Sequence, residues 1–308
     1  MTAKATDLLV VVNPHAGCGR GLKTWDKLLQ RKSELRQARL INQADASEAD
    51  SQLRAALAER RFSRVLVLGG DGTIQMVLNR LLQLPEALRP ILAFARGGTG
   101  SDFSRLLDLP TNPVDAAEAV INAPAGAVDV MALRSEDRLH YGLNVASVGI
   151  SSLVAPRVNA DPRHGKLSYI WHTLRSLTRF NPPTIALQVD DRKLEDEARF
   201  LIAIANGRSF GNGLKIAPHA RADDGLLEVV IVDPMSAFEL PLRMIQLLLG
   251  KHLSARPVSL AQGQKITLSA TTRQTLEVDG ETFEFTQLQV EVLPRALQLA
   301  HFKEQASH

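Results

Sequence analysis

Residues 64–82 read RVLVLGGDGTIQMVLNRLL. After Arg64 the opening is an unbroken apolar run, the pattern of a parallel strand covered on both faces. Ile74, Val77, Leu78, Leu81 and Leu82 then fall at i, i+3, i+4, i+7 and i+8, which marks an amphipathic helix. Between the two stands Gly69-Gly70-Asp71-Gly72-Thr73. Glycines let the backbone approach a bulky anion. The start of the next helix offers N–H groups and a partial positive charge, so it favours phosphate. The plainer alternative is an ordinary strand–turn–helix loop with Thr73 as the cap.

The same grammar extends outward. Residues 7–13 (DLLVVVN) and 91–95 (ILAFA) read as further buried strands, and 24–36 and 47–60 carry helix formers. Strands alternating with helices predict an α/β layer with a parallel sheet. Two more glycine-bearing loops follow strands. One is Asn13-Pro14-His15-Ala16-Gly17-Cys18-Gly19-Arg20-Gly21, the other Gly97-Gly98-Thr99-Gly100-Ser101-Asp102. Ligands of open α/β sheets bind beyond the carboxyl ends of the strands, so three such loops point to a phosphate site more firmly than any one does. The chain has no G-x-x-x-x-G-K-[ST] string, and Gly17, Gly19 and Gly21 give G-x-G-x-G rather than a dinucleotide fingerprint.

The pattern changes at 122–126 (NAPAG). Beyond it period-2 segments dominate, among them AVDVMAL, TIALQVD, FLIAIAN, LLEVVIV and QLQVEVL, with helices expected over about 165–179 and 236–249. This predicts a mainly antiparallel second domain, a β-sandwich. The expected division is residues 1–125 and 126–294. The polar tail 295–308 looks helical and is expected to return to the first domain.

Composition bounds the function. The 308 residues are 45% hydrophobic and 5% aromatic, with a formal net charge of +3. That mild balance argues against nucleic acid as a partner and is compatible with attraction to an anionic membrane surface. The one cysteine, Cys18, rules out an internal disulfide. No apolar run approaches the length of a spanning helix. A cytoplasmic protein is expected, peripheral at the inner membrane face if its substrate is a lipid. The oligomeric state is open, a homodimer included.

GGDGT at 69–73, NPHAG at 13–17 and GTGSD at 98–102 together resemble the diacylglycerol kinase catalytic-domain family, which includes bacterial soluble lipid kinases and sphingosine kinases. In the second domain, His164-Gly165-Lys166-Leu167-Ser168-Tyr169, residues 205–228 (ANGRSFGNGLKIAPHARADDGLLE) and Val278-Asp279-Gly280-Glu281 resemble further family signatures. The likeness spans nearly the whole chain in the expected order. It implies an NAD-kinase-like first domain, a nucleotide cleft between the domains, and transfer of the γ-phosphate of ATP to a lipid hydroxyl. The acceptor would be diacylglycerol, phosphatidylglycerol or a sphingoid-type lipid, met at the membrane surface. It implies nucleotide contacts from Asn13, Gly17, Gly69, Gly70, Asp71, Gly72, Thr73, Ile74, Gln75, Thr99 and Asp102. Glu281 would be the general base, and Asp71 would act through magnesium or a bridging lysine. Asp224, with the carbonyls of Arg221 and Leu226, would hold Mg2+, a hard cation suited to oxygen ligands.

Plainer readings stand beside these. Asp-Gly between alternating strands is a common hairpin turn, which would leave Glu281 an exposed strand residue and Asp224 a turn residue. GGDGT is shared with NAD kinases, which makes an NAD kinase one alternative. Ser101 stands where the family more often has Asn, and a nucleotide-binding sensor without catalysis is another. Gly207-Arg208-Ser209-Phe210-Gly211 fits G-x-S-x-G, but glycines and Pro218 follow it where a nucleophile elbow needs a helix. The helix near 236–249 reads as a core element that could also line an acyl pocket or approach a membrane.

Overall fold

The computed structural model describes residues 5–17, 19–95, 102–136, 138–160, 171–173, 175–176, 180–211, 213–236 and 238–303. The chain forms two compact units, Met1–Val128 with Arg295–His308, and Asp129–Pro294.

The first unit is built from β1 (Leu8–Val12), α1 (Arg20–Arg31), β2 (Arg39–Asn42), α2 (Ala46–Glu59), β3 (Arg64–Leu68), α3 (Asp71–Leu82), β4 (Ile91–Phe94) and α4 (Pro113–Asn122). The strands lie parallel in the order β2-β1-β3-β4. Every residue of β1 and β3 is buried, because helices cover both faces. Leu8, Val10, Val12, Leu66 and Leu68 share a core with Trp25 and Leu28 of α1 and with Val120 and Ile121 of α4. On the other face α2 packs on β2 and α3 on β3. Local chemistry sets the helix starts. Asp45 accepts the Glu48 N–H at 2.8 Å ahead of α2, and Asn112 accepts from Val114 and Asp115 ahead of Pro113 in α4. The end of α4 is held by buried Arg64, which donates to the carbonyls of Val120 and Ala123.

The tail differs from its expected helical character. Residues 295–300 are the end of an extended strand, with Leu299 opposite Leu92 of β4 in parallel. Leu297 and Leu299 are buried, a period-2 pattern that sheet pairing selects over the tail's helix propensity.

The second unit contains β5 (Ala125–Ser135, which begins in the first), β6 (Leu139–Gly142), β7 (Val145–Gly149), α5 (Ile150–Ala160), β8 (Thr184–Val189), β9 (Arg192–Lys193), β10 (Glu197–Ala198), β11 (Leu201–Ala205), β12 (Leu227–Val232), α6 (Leu240–Leu249), β13 (Val258–Gly263), β14 (Lys265–Val278) and β15 (Glu281–Ala300). Its characterised pairings are antiparallel. One layer runs β13-β12-β11-β7-β14. The first half of β14 pairs instead with β8 and the second half with β7, and its register against β15 shifts between Ser269 and Gln274. Such an irregularity bends a strand, so one hairpin serves both layers of the sandwich.

Strand β11 shows why the second domain needs helices as well. Ile202 and Ile204 face the sandwich core with Val148, Leu276 and Phe285. Leu201, Ala203 and Ala205 face a separate core with Val154 of α5 and Leu240, Met244 and Leu247 of α6. The expected helix near 236–249 begins at Leu240, with Pro241 in its first turn, and ends where Gly250 adopts a left-handed φ of 69°. Helix α5 had no sequence expectation, because Pro156 interrupts its pattern. It forms because Ile150, Val154 and Val158 present one buried stripe. Of the helix expected over 165–179, residues 171–173 and 175–176 are helical; residues 164–169 lie outside the described residues.

Candidate functional site

In the first unit, the loops after β1 and β3 meet at the carboxyl edge of the sheet. The Asn13 N–H donates to the Leu68 carbonyl at 3.2 Å. The Asn13 side chain folds its own loop by accepting the His15 N–H at 2.9 Å, and it reaches Thr73 Oγ1 at 3.5 Å. A Cβ on Gly21 would stand 2.5 Å from the Leu68 carbonyl oxygen, so α1 sits flush against the end of β3 only as glycine. Gly17 takes a positive φ of 57° in the turn ahead of α1.

Gly69 and Gly70 lead into α3, whose first residue is Asp71 and whose first turn receives no side-chain cap from Gly70. The space around Gly70 and Gly72 is open, with nothing within 4 Å of where a Cβ would stand. Gly69 is different: a Cβ there would lie 2.5 Å from Thr73 Oγ1. Thr73, Ile74 and Gln75 are buried, and Gln75 accepts from Asn79 within the helix. What this loop can offer a ligand is therefore mainly backbone, at an uncapped helix start with room for an anion. Asp102 follows β4 and pairs with Arg105 at 3.0 Å. Thr99 and the rest of residues 96–101, like Cys18, lie outside the described residues.

In the second unit, Asp279 and Gly280 join β14 to β15 with φ values of 49° and 92°, the double left-handed geometry of a two-residue hairpin turn. The Asp279 carboxylate accepts backbone N–H groups from Leu143, Asn144 and Val145 at 2.6, 3.2 and 3.0 Å. Glu277 accepts from Gly280 N–H at 2.8 Å and from Ser147 Oγ at 3.0 Å. The turn carrying Glu281 is thus clamped from both sides. Glu281 itself is exposed by surface area, while protein atoms crowd it on one side. That crowding pushes its carboxyl above the ordinary glutamate range, and the Arg138 charge pulls it partly back. Arg138 stands 5.9 Å from the centre of the Phe283 ring, two residues along the same face of β15 as Glu281.

Residues of the stretch 205–228 bond to the Leu143–Asn144 segment that Asp279 also holds. Asn206 Nδ2 donates to the carbonyls of Asp129 and Leu143. Its N–H, and that of Gly207, donate to the Asn144 carbonyl. Asn144 Nδ2 donates to the Ser209 carbonyl at 2.9 Å. Phe210 bridges to Leu214 in a tight turn, so Ser209 sits in a hydrogen-bonded loop that does not lead straight into a helix. Fully buried Asp129 accepts the Gly225 N–H at 2.7 Å.

Asp224 accepts the Leu226 N–H at 3.1 Å. Burial pushes its carboxyl up, and the charges of Asp129 and Asp223 push the same way against Arg221. Arg221 is engaged with Asp223 at 3.2 Å. Three carboxylates near one guanidinium form a site with excess negative charge, which a divalent cation suits. Among the described residues no group of three or more His, Cys, Asp or Glu side chains is arranged to hold a metal, so a cation here would rely on the Asp224 carboxylate and on carbonyl oxygens.

Sequence reasoning passed over Asp129, Asn144 and Asn206, and gave Asp279 no role. One signal was available: Asp129 is a lone charge inside the apolar run AVDVMAL. The asparagines carry no local signal, since their partners are backbone groups far along the chain.

Comparison with known proteins agrees with this layout. Residues 7–133 match the diacylglycerol kinase catalytic domain, and residues 144–301 match the YegS C-terminal NAD kinase beta sandwich-like domain. A protein of Pectobacterium atrosepticum named a probable lipid kinase, YegS-like, is 29% identical over 77% of each chain. A protein of Staphylococcus saprophyticus named diacylglycerol kinase is 28% identical over 88% of each. A crystal structure of a diacylglycerol kinase from Bacillus anthracis superimposes with a TM-score of 0.71 at 21% identity, over 95% of this chain and 96% of that one. The crystal structure of a protein from the same organism named a putative diacylglycerol kinase reaches 0.77 at 22% identity over 97% of both. At those identities the structures speak for the fold, an α/β domain followed by an antiparallel sandwich. The chain belongs to the family in which a diacylglycerol kinase catalytic domain precedes a YegS C-terminal NAD kinase beta sandwich-like domain.

Proposed function

We infer that this protein is a lipid kinase that transfers the γ-phosphoryl group of ATP to a hydroxyl of a lipid. The carrying observation is the open, uncapped start of α3 at Gly70-Asp71-Gly72 in a chain of this family. Phosphoryl transfer needs positioning and charge stabilisation more than covalent chemistry. Backbone N–H groups of the Gly69–Thr73 loop hold the phosphates, the Asn13–Gly17 loop lies alongside, and Thr99 and Asp102 complete the nucleotide contacts. Ile74 and Gln75 follow in the buried first turns of α3, with the Ile74 N–H donated to the Gly70 carbonyl. Asp71, an anion beside phosphate, would act through a cation carried with the nucleotide or through a bridging lysine. The lipid hydroxyl oxygen bonds to the γ-phosphorus, the bond to the ADP oxygen breaks, and the hydroxyl proton passes to Glu281. Asp224, with the carbonyls of Arg221 and Leu226, would hold magnesium in the second unit. When bound, that ion supplies positive charge to offset Asp129, Asp223 and Asp224.

Incubation with labelled ATP, magnesium and a panel of diacylglycerol, phosphatidylglycerol and sphingoid lipids tests the reading. Label is expected in one lipid class. Label appearing in NADP from NAD, or tight ATP binding without transfer to any lipid, overturns it.

Two variants separate folding from nucleotide contact. Gly70→Ala adds a methyl group to open space at an ordinary φ of −91°. Its unfolding free energy is expected to change by less than about 0.5 kcal/mol, while the ATP KM rises about tenfold, equal to about 1.4 kcal/mol of lost binding. Gly21→Ala drives a Cβ against the backbone oxygen of Leu68 and is expected to cost about 1–3 kcal/mol of stability. Denaturant unfolding and ATP titration of both variants check this.

The raised Glu281 carboxyl predicts pH dependence. A base must be deprotonated, so kcat is expected to climb through a pH range above that of an ordinary glutamate. Arg138→Gln removes the charge that favours the carboxylate and is expected to move this limb further toward high pH. A pH–rate profile of both proteins decides it.

A further inference from the structure

Helix α6 is apolar on two opposite faces. Leu240, Met244 and Leu247 point inward and are buried. Together with Ile150, Phe200 and His252 they line an apolar recess of about 60 Å³. Leu242, Ile245 and Leu249 are 54%, 54% and 60% exposed. At 3.6 residues per turn these three fall within an arc of about 60° opposite the buried stripe. Phe238, two residues ahead of the helix, is 96% exposed. The outward face presents Pro241 besides, and the charged residue exposed at its start is Glu239. Single exposed apolar residues are ordinary, whereas a contiguous stripe of this kind marks an interaction surface.

The surroundings select the occupant. Exposed Lys251 follows Gly250 at the end of α6, exposed Lys215 packs beside Gly250, and exposed Arg256 lies shortly after. An exposed apolar stripe whose helix ends among cations is the composition of an interfacial helix on an anionic bilayer. A protein partner would not require the cations.

We propose that the outward face of α6, through Leu242, Ile245 and Leu249 and with Phe238 just before it, seats the second unit on an anionic lipid bilayer. The surface gives the lipid-kinase reading above its point of contact with substrate, and it rests on that reading only for its purpose.

The test is sedimentation of the full chain with vesicles, without ATP. Vesicles of phosphatidylcholine with about one third phosphatidylglycerol are expected to bind the protein, and binding is expected to weaken with salt. The triple variant Leu242→Gln, Ile245→Gln, Leu249→Gln changes exposed positions and is expected to keep its unfolding midpoint while losing at least about tenfold in vesicle affinity. The variant Lys215→Glu, Lys251→Glu, Arg256→Glu is expected to abolish the preference for the anionic vesicles. Failure of the wild type to bind, or unchanged binding by the triple variant, overturns the proposal. So does a dimer in solution that the triple variant dissociates without changing vesicle binding. Because no turnover is read, a protein inactive on every lipid that still loses vesicle binding in the triple variant would sink the kinase reading and leave this surface standing.

Discussion

Glu281→Gln is expected to reduce kcat for lipid phosphorylation by about 10²–10⁴-fold, the usual range for a general base. The amide keeps the size of the side chain and cannot take up the proton. The position is exposed at the first residue of β15, so the substitution leaves no buried group unsatisfied, and the unfolding midpoint is expected to hold. ATP affinity is expected to stay within about twofold, since the nucleotide contacts are assigned to the first unit. Burst kinetics with labelled ATP, equilibrium ATP binding and thermal unfolding give the three readouts. A variant with full turnover would remove Glu281 from the chemistry and return it to the role of an ordinary hairpin residue.

Asp279→Ala is expected to do the opposite kind of damage. Its carboxylate collects the N–H groups of Leu143, Asn144 and Val145, and hydrogen bonds to a charged group contribute about 1.5–3 kcal/mol each. These contributions overlap in a single carboxylate, and water can reach part of the vacated space. A loss of about 3–5 kcal/mol is therefore expected in urea unfolding of the second unit. The Asn144 carbonyl, which receives Asn206 and Gly207, shifts with the Leu143–Val145 segment, so activity is expected to fall along with stability. Asp279→Asn is expected to recover part of the stability, because a side-chain oxygen remains to accept. Together the two substitutions separate a residue that does chemistry from a neighbour that holds it in place.

Much of the architecture is legible in residue order because it depends on burial period. The runs LLVVV and RVLVL announce strands covered on both faces, and the stripe from Ile74 to Leu82 announces α3. The alternation in LIAIA announces β11. What the alternation could not say is that its two faces enter different cores, one inside the sandwich and one beneath α5 and α6. Local propensity misled at the tail: RALQLA reads as helix when isolated, and becomes strand because β4 offers an open row of hydrogen-bonding groups. Helix α5 escaped notice because Pro156 masks a stripe whose value lies in a distant sheet face.

The candidate sites divide along the same line. Gly69 to Thr73, Asp224 and Glu281 are visible in sequence because turn chemistry is local: a glycine admits an anion, and Asp-Gly closes a hairpin. Asp129, Asn144, Asn206 and the carboxylate of Asp279 are not, since each acts on backbone groups that only folding brings near. The same holds for exposure. Residues 240–249 are visibly apolar in sequence, but which leucines face the recess and which face outward was decided by the packing of one side of α6 against β11 and α5. Residue order determined the elements, the loop chemistry and the lone acidic residues in apolar runs, because these depend on neighbours within a few bonds. Tertiary structure decided which buried amides a carboxylate satisfies and which apolar face stays uncovered, because both depend on chain segments separated by dozens of residues.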